Sequence, residues 1–497
     1  MIFRCVLSSF FIIVGLAIFI PYACVASVEY VGGICGFGLI ILGIISTVFY
    51  VCKYKWMKIR GRNQFYHYDE LMRPRDATEQ FLPKKNRRVN DYYYDDEEEL
   101  AQVGLTRRDE KRESAIYSSY KESMKCSKYC ATNIACKVFL FILLSPVFIF
   151  TVAYLFQSIG YSVDVVSPIG KLVTISLHGK SYRLHMDCRG EQTGQYPTVV
   201  IDSGLGISSS SVYWSDIQNN VANTTRVCVY DRAGYGFSDS GTFPRTSKQI
   251  AEELAVLLTE SNITEPIILV GHSFGGMNTR LFTSLYREKV TGLLLIDPSH
   301  ENQTMVLRQA EGKSTDPSAI SSDHFKEVSY LNFARIASPL GLLRLTSLFY
   351  GDSIINPFSK PDLTNLQKKT LSFTGLSNKQ SNVVYSEGSN FATLSAQEVA
   401  NNRTSFGDLP LVILSAGASL NGTCAENHIA DNSDACKEWM KYLTPRAAAF
   451  EELVRDVLTL SSKSSWKVIW GSSHNIAIDN PPAVIEAILS LLKEVKK

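Results

Sequence analysis

Pro266-Ile-Ile-Leu-Val-Gly-His-Ser-Phe-Gly-Gly276 is the stretch on which the reading of the whole chain turns. Its apolar run, Ile267 to Val270, has the length and composition of a fully buried strand. The run breaks into Gly271-His272-Ser273-Phe274-Gly275, and helical spacing begins at once with Met277, Leu281, Phe282 and Leu285. A G-x-S-x-G pattern in this strand–turn–helix setting lifts one serine hydroxyl out of the fold on a strained turn. Side chains at 271 and 275 would collide with the neighbouring strand and helix, which accounts for the two glycines. The pattern alone is common, so its surroundings have to carry the reading.

Those surroundings alternate. Upstream, Lys171–Leu177 and Tyr182–Met186 read as strands about a turn at His178-Gly179. Thr198–Ile201 is a buried strand ending in Ser203-Gly-Leu-Gly206, and Val227–Tyr230 is another, running into Asp231-Arg-Ala-Gly-Tyr-Gly-Phe-Ser-Asp239. Thr246 and Gln249 have capping-box spacing and open a helix whose apolar face is Ile250, Leu254, Leu257 and Leu258. Downstream, Gly292–Ile296 is a sixth strand, followed by Asp297-Pro-Ser-His300. Residues 301–407 are too long for a connection and carry their own helical patterns, Phe333–Phe349 and Leu363–Leu371, which predicts a helical cap. Leu411–Leu414, a helix at Ala447–Leu460, the strand Trp466–Trp470 and a helix from Pro482 complete the domain. Strands alternating with helices predict an α/β fold with a mainly parallel, doubly wound sheet over 161–497.

The first part of the chain has another character. Cys5–Val28, Tyr30–Cys52 and Val138–Val163 carry no charge and are each long enough to cross a bilayer. They predict two transmembrane helices in 1–52, a cytosolic loop without regular structure over 53–137, and a third transmembrane helix at 138–160. The first run also resembles a cleavable signal peptide, with Arg4 before it and Cys24-Val25-Ala26 at its end. Lys53, Lys55, Lys58, Arg60 and Arg62 crowd the exit of the second run, so the loop is placed in the cytosol and everything after Val163 in a lumen or outside the cell. The formal net charge of +2 conceals a basic loop and a mildly acidic remainder. No basic stripe interleaved with aromatics points to nucleic acid.

Cysteines and sequons follow the same division. Cys188, Cys228, Cys424 and Cys436 fall in the lumenal part, where Cys424 and Cys436 bracket a polar insert and could be bridged. Cys228 reads as an ordinary core residue. Asn223, Asn262, Asn302, Asn402 and Asn421 head N-glycosylation sequons, all on the lumenal side, predicting a glycoprotein. No Gly-rich phosphate loop or cluster of metal-ligating residues stands out, so no cofactor and no metal are expected.

With the elbow, the complete Tyr230–Asp239 loop and a late histidine in order, residues 164–497 resemble the α/β-hydrolase superfamily, in the subset with a Y-D-R-A-G-Y-G-x-S-D loop after the fourth strand. The resemblance implies that Ser273 is a nucleophile and that His474, in Gly471-Ser-Ser-His474, is its base. It implies an oxyanion hole built from the backbone N–H groups of Phe274 and Leu205. The acid is expected at Asp297, after the sixth strand, with Asp431, Glu301, Glu426 and Asp434 as alternatives. The seventh strand runs into Ser415-Ala-Gly-Ala-Ser419 without a carboxylate. A serine nucleophile argues against dehalogenase or epoxide hydrolase chemistry, which uses a carboxylate. The expectation is an integral membrane serine hydrolase, an esterase or lipase acting on small-molecule or lipid esters. A serine aminopeptidase-like enzyme and a non-catalytic binding or adhesion domain are the alternatives. In the cap, Leu342, Leu343, Leu345, Phe349 and Tyr350 are expected either to wall an acyl chain or to form the cap's own core.

Overall fold

The structure, a computed structural model, describes residues 107–355, 358, 360–421 and 433–496. The two apolar runs within 1–52, their orientation, and the alternative acids Glu426 and Asp431 lie outside these residues. The chain divides into a unit of 1–152 and a unit of 153–497. Helix α1, Arg107–Asp164, belongs to both. It includes residues 107–137, where the sequence reading expects a loop without regular structure. Among the described residues one segment, Leu144–Asp164, is long and apolar enough to cross a membrane.

The second unit is built on an eight-stranded sheet: β1 Lys171–Leu177, β2 Lys180–Arg189, β3 Val199–Asp202, β4 Val227–Asp231, β5 Ile267–His272, β6 Val290–Ile296, β7 Leu411–Ala416 and β8 Ser464–Ile469. Their order is β1-β2-β4-β3-β5-β6-β7-β8. The pairs β1–β2 and β2–β4 are antiparallel and the remaining pairs parallel, as the alternating pattern predicts. Successive residues of the central strands point to opposite faces, and both faces are covered. Val200, Leu269 and Leu293 pack under the helices α2, Ser247–Glu260, and α3, Phe274–Leu285. Ile201, Ile268 and Leu294 pack on the other side with Trp214, Ile488 and Leu492.

Between β6 and β7, in the stretch read as a cap, the described chain is mostly helical. Its helices include α4 Pro317–Ala337, α5 Leu342–Tyr350 and α6 Asn378–Asn390. The continuous pattern Phe333–Phe349 is divided at Ser338-Pro339-Leu340, where Gly341 takes a left-handed conformation. Two more helices, α7 Asp434–Leu458 and α8 Pro481–Glu494, flank β8. Leu348, Phe349 and Tyr350 stand exposed rather than walling a chain, whereas Leu343 packs on Val212, Leu371 and Leu376.

Two local expectations change. Thr246 is the N-cap of α2 without the predicted capping box. Glu398 of the cap takes over both ends of that job, accepting from the Thr246 hydroxyl (2.8 Å) and from the Lys248 N–H (2.8 Å). Cys228 is not a free core thiol: it faces Cys188 across the β2–β4 pair and is disulfide-bonded to it. Cys436 is also disulfide-bonded, and Cys424 lies outside the described residues.

Candidate active site

The carboxyl ends of β5 and β6 deliver two residues in unusual backbone conformations. Ser273, directly after β5, has φ 56°, and Asp297, directly after β6, has φ 40°. Left-handed conformations at non-glycine residues are uncommon and need support. Ser273 has it from both sides: its N–H donates to the Ile296 carbonyl (3.1 Å), and its carbonyl accepts from the Gly276 N–H (2.8 Å) and the Ser299 N–H (2.9 Å). The elbow has no room for larger neighbours. A Cβ on Gly275 would lie 2.4 Å from the Asp202 carbonyl oxygen, and one on Gly271 would lie 2.3 Å from the Thr279 hydroxyl. These are the strand and helix collisions expected from the sequence.

His474 lies in the loop after β8 and reaches both residues. Its Nε2 is 2.9 Å from Ser273 Oγ, and its Nδ1 is 2.6 Å from Asp297 Oδ2. Asp297 is itself oriented, since Oδ1 accepts from the Ala416 N–H (2.9 Å) and Oδ2 from the Ser419 hydroxyl (3.1 Å). Thus the Ser415–Ser419 segment, which lacks a carboxylate, instead holds one in place. As an acceptor only, Asp297 fixes the proton on Nδ1, leaving Nε2 free to take one from Ser273. The alternative acids in the described residues are engaged elsewhere: Glu301 pairs with Arg280 (2.7 Å) and Arg403 (3.0 Å), and exposed Asp434 pairs with Lys437.

Phe274 opens α3, so its N–H has no partner within the helix by position. Leu205, Phe274 and Ser273 line one cavity of about 850 Å³, together with Tyr330, Leu331 and Phe391 from the cap. A second cavity, about 350 Å³, also opens on Ser273 and His474 and is walled by Leu443, Phe450, Leu453, Val454 and Val457 of α7. Both volumes suit small organic ligands.

The Tyr230–Asp239 loop braces this edge. The buried Arg232 guanidinium donates to Asp202 (2.9 Å), to the Ser203 and Gly204 carbonyls, and to Glu387 of α6 (2.8 and 3.0 Å). It thereby holds the turn that carries Leu205. Burial pushes the Asp202 carboxyl up from its usual range, with Arg232 acting in the opposite sense. Tyr235 donates its hydroxyl to Glu387 (2.8 Å). Glu387 was missed in the sequence, since a lone carboxylate in a cap helix carries no local signal.

His272 was also missed. It is buried, and its Nε2–H donates to the His474 carbonyl (3.0 Å), fastening the loop that carries His474. Burial, and next the neighbouring His474, hold its pKa down to about 3, so the ring is neutral. His300, Glu301 and Asp456 form one group with metal-like spacing among the described residues. Arg280 and Arg403 already neutralise its carboxylates. No ligand role follows for it.

A protein-family model described as alpha/beta hydrolase fold matches residues 197–457. An uncharacterized vacuolar membrane protein of Saccharomyces cerevisiae is 30% identical over 135 residues, covering 24% of this chain. The chain spans 21% of that yeast protein's length. The uncharacterized protein YqjL of Bacillus subtilis is 23% identical over 291 residues, covering 59% of this chain and 81% of its own. Among solved structures, a thermophilic esterase from Thermogutta terrifontis is 17% identical with a TM-score of 0.39, covering 66% of this chain and 99% of that one.

Proposed function

Given that the chain belongs to the alpha/beta hydrolase fold family, we propose that it is a membrane-anchored serine hydrolase that cleaves carboxylic esters through an acyl-enzyme. Lipid or long-chain acyl esters are its substrate class. The observation that carries this reading is the hydrogen-bonded line Ser273–His474–Asp297 at the base of two cavities, the smaller walled mainly by apolar side chains of α7 and the larger of mixed lining.

In this reading Ser273 Oγ attacks the ester carbonyl carbon as its proton passes to His474 Nε2. Asp297 keeps the imidazole oriented and stabilises the imidazolium. The carbonyl oxygen, now an oxyanion, is received by the backbone N–H groups of Phe274 and Leu205. Collapse of the tetrahedral species breaks the bond to the alcohol, which leaves with the proton from His474. Water, deprotonated by the same ring, then releases the acid and restores Ser273. An aminopeptidase would need a free carboxylate for a substrate ammonium. Besides Asp297, the one carboxylate lining either cavity among the described residues is Glu311, and it is engaged by Lys313 and Arg446.

Membrane anchoring rests on Leu144–Asp164, with the hydrolase unit in a lumen or outside the cell. The Cys188–Cys228 disulfide supports an oxidising compartment. Asn223, Asn262 and Asn302, which head three of the sequons, are exposed as glycan acceptors must be.

A fluorophosphonate probe on intact membranes tests the chemistry. Labelling and ester hydrolysis should both vanish in Ser273→Ala, with turnover reduced by about six orders of magnitude. Labelling that survives the substitution removes Ser273 as the nucleophile. Glycosidase treatment should raise gel mobility, and protease added to sealed microsomes should spare the hydrolase unit. Digestion of that unit in sealed vesicles would reverse the orientation.

A further inference from the structure

The cap has a second face that the ester-cleaving chemistry does not use. On α5, Arg344 is buried, whereas Leu345, Leu348 and Phe349 form a stripe open to solvent, the last two 67% and 78% exposed. On α4, Tyr330, Phe333 and Ile336 repeat at three-residue spacing on one exposed face, with Phe333 at 64% and Ile336 at 59%. From Tyr330 to Tyr350 the sequence contains no Asp or Glu. Of its two arginines, Arg344 is turned inward to Asp164, and Arg335, though exposed, lies over the Tyr385 ring at 4.4 Å. Exposed large apolar side chains repeated on two successive helices of a folded unit mark an interaction site.

The neighbouring end of α1 says what the partner is. Arg344 Nε donates to Gln157 (3.1 Å), Gln157 donates to the Leu376 carbonyl (2.7 Å), and Tyr161 stacks on Phe373 at 4.6 Å. A Cβ on Gly341, at the start of α5, would lie 3.0 Å from the Phe156 ring. The last turns of α1 are therefore fastened to α5 and its surroundings. The uncharged run Val138–Val163 makes a helix about 39 Å long, roughly 9 Å more than the hydrocarbon layer it would cross. With the run entering the hydrocarbon at Val138, that surplus falls at the fastened end and sets it at the level of the lipid headgroups. There the outward residues of α1, Ile159 and Val163, are apolar and exposed, like the stripe.

We propose that the α4–α5 stripe is seated in the lipid surface where α1 leaves the bilayer, as an amphipathic interfacial element. This rests on the reading of α1 as a membrane helix given above. Tyr330 belongs both to the stripe and to the lining of the larger cavity that contains Ser273. The seating thus brings that cavity's mouth to the membrane, and an acyl ester passes from the leaflet to Ser273 without crossing water.

The test uses the full chain in phosphatidylcholine vesicles containing acyl-brominated lipid. With Phe349→Trp, the introduced indole should be quenched beyond the background of the parent protein. The double variant Leu348→Glu, Phe349→Glu should lose at least tenfold in hydrolysis of a long-chain ester dissolved in the bilayer, with a short, water-soluble ester hydrolysed as before. An unquenched indole, or equal rates on the bilayer ester, overturns the proposal. Concentration-dependent cross-linking through position 349 would assign the stripe to a second copy instead. If the parent hydrolyses neither ester, the hydrolase reading fails, and the quenching still decides the seating.

Discussion

At the elbow, backbone meets backbone: a methyl group on Gly275 would sit inside the contact distance of the Asp202 and Ser203 carbonyls. The cap meets the sheet differently, through polar side chains separated by long stretches of chain. Glu387 reaches Arg232, and Glu398 reaches the start of α2. The first kind of contact dictates which residue types can stand side by side in the sequence. The second needs only one carboxylate at the right place in a helix, and many helices have one.

The comparison can be broken at its strongest point first. If the acid really stands at the strained edge after β6, Asp297→Asn should lower kcat by roughly four orders of magnitude with folding intact, because the amide fixes the wrong tautomer of His474. Normal turnover in that variant would move the acid into the insert between Cys424 and Cys436.

Next comes the cap's main tie. Removing Glu387 leaves the buried guanidinium with Asp202 as its one carboxylate and the Ser203 and Gly204 carbonyls, so the cost should approach but not exceed the about 3–5 kcal/mol of a fully unpaired buried charge. Glu387→Ala should therefore lower the denaturation midpoint sharply in urea titrations. A loss below about 1 kcal/mol would mean that apolar contacts hold the cap and that the charge tie is incidental.

The third expectation concerns acid. The native pKa of His272 is depressed to about 3, below an unfolded value near 6.5. Between these limits the unfolded chain binds a proton that the native chain refuses, so stability is full above pH 6.5 and falls as pH drops toward 3. At pH 4 the loss from this one ring is up to about 3 kcal/mol. Other groups titrate in the same window, so the measurement is the difference in slope between the parent and His272→Asn. Identical slopes would show that the ring is not buried neutral.

The smallest effect belongs to the α2 cap. Glu398→Ala should cost about 1 kcal/mol, as loss of an N-terminal cap does. Thermal melts indistinguishable from the parent would show that water replaces Glu398 at no cost.

What could be read in the sequence follows from this contrast. All eight strands lie where alternation and buried runs place them, because a residue's face in a strand is set by its immediate neighbours. Ser273 and Asp297 could be singled out because they follow directly on β5 and β6, and His474 because it stands in the loop after β8. Phe274 and Leu205 needed only the turn chemistry beside them. Three things were not legible. Cys188 pairs with Cys228 through the register of β2 on β4, which spacing does not reveal. The capping box at Thr246 gave way to a carboxylate from the distant cap. The exposed stripe at Leu348 and Phe349 has the same composition as a core helix, so apolar spacing could not tell its inward face from its outward one.

Arg232 also imposes an order on the making of the domain. As the chain emerges, the elbow and Arg232 appear well before Glu387, and His474 appears last. Until α6 arrives, the guanidinium that grips the Ser203 and Gly204 carbonyls has one carboxylate where the finished fold gives it two. The turn bearing Leu205 gains its second anchoring carboxylate only when α6 is in place. A nascent or truncated chain therefore carries Ser273 before the residues that surround it in the finished unit, and on the proposed reading competence would come only with completion of the whole unit.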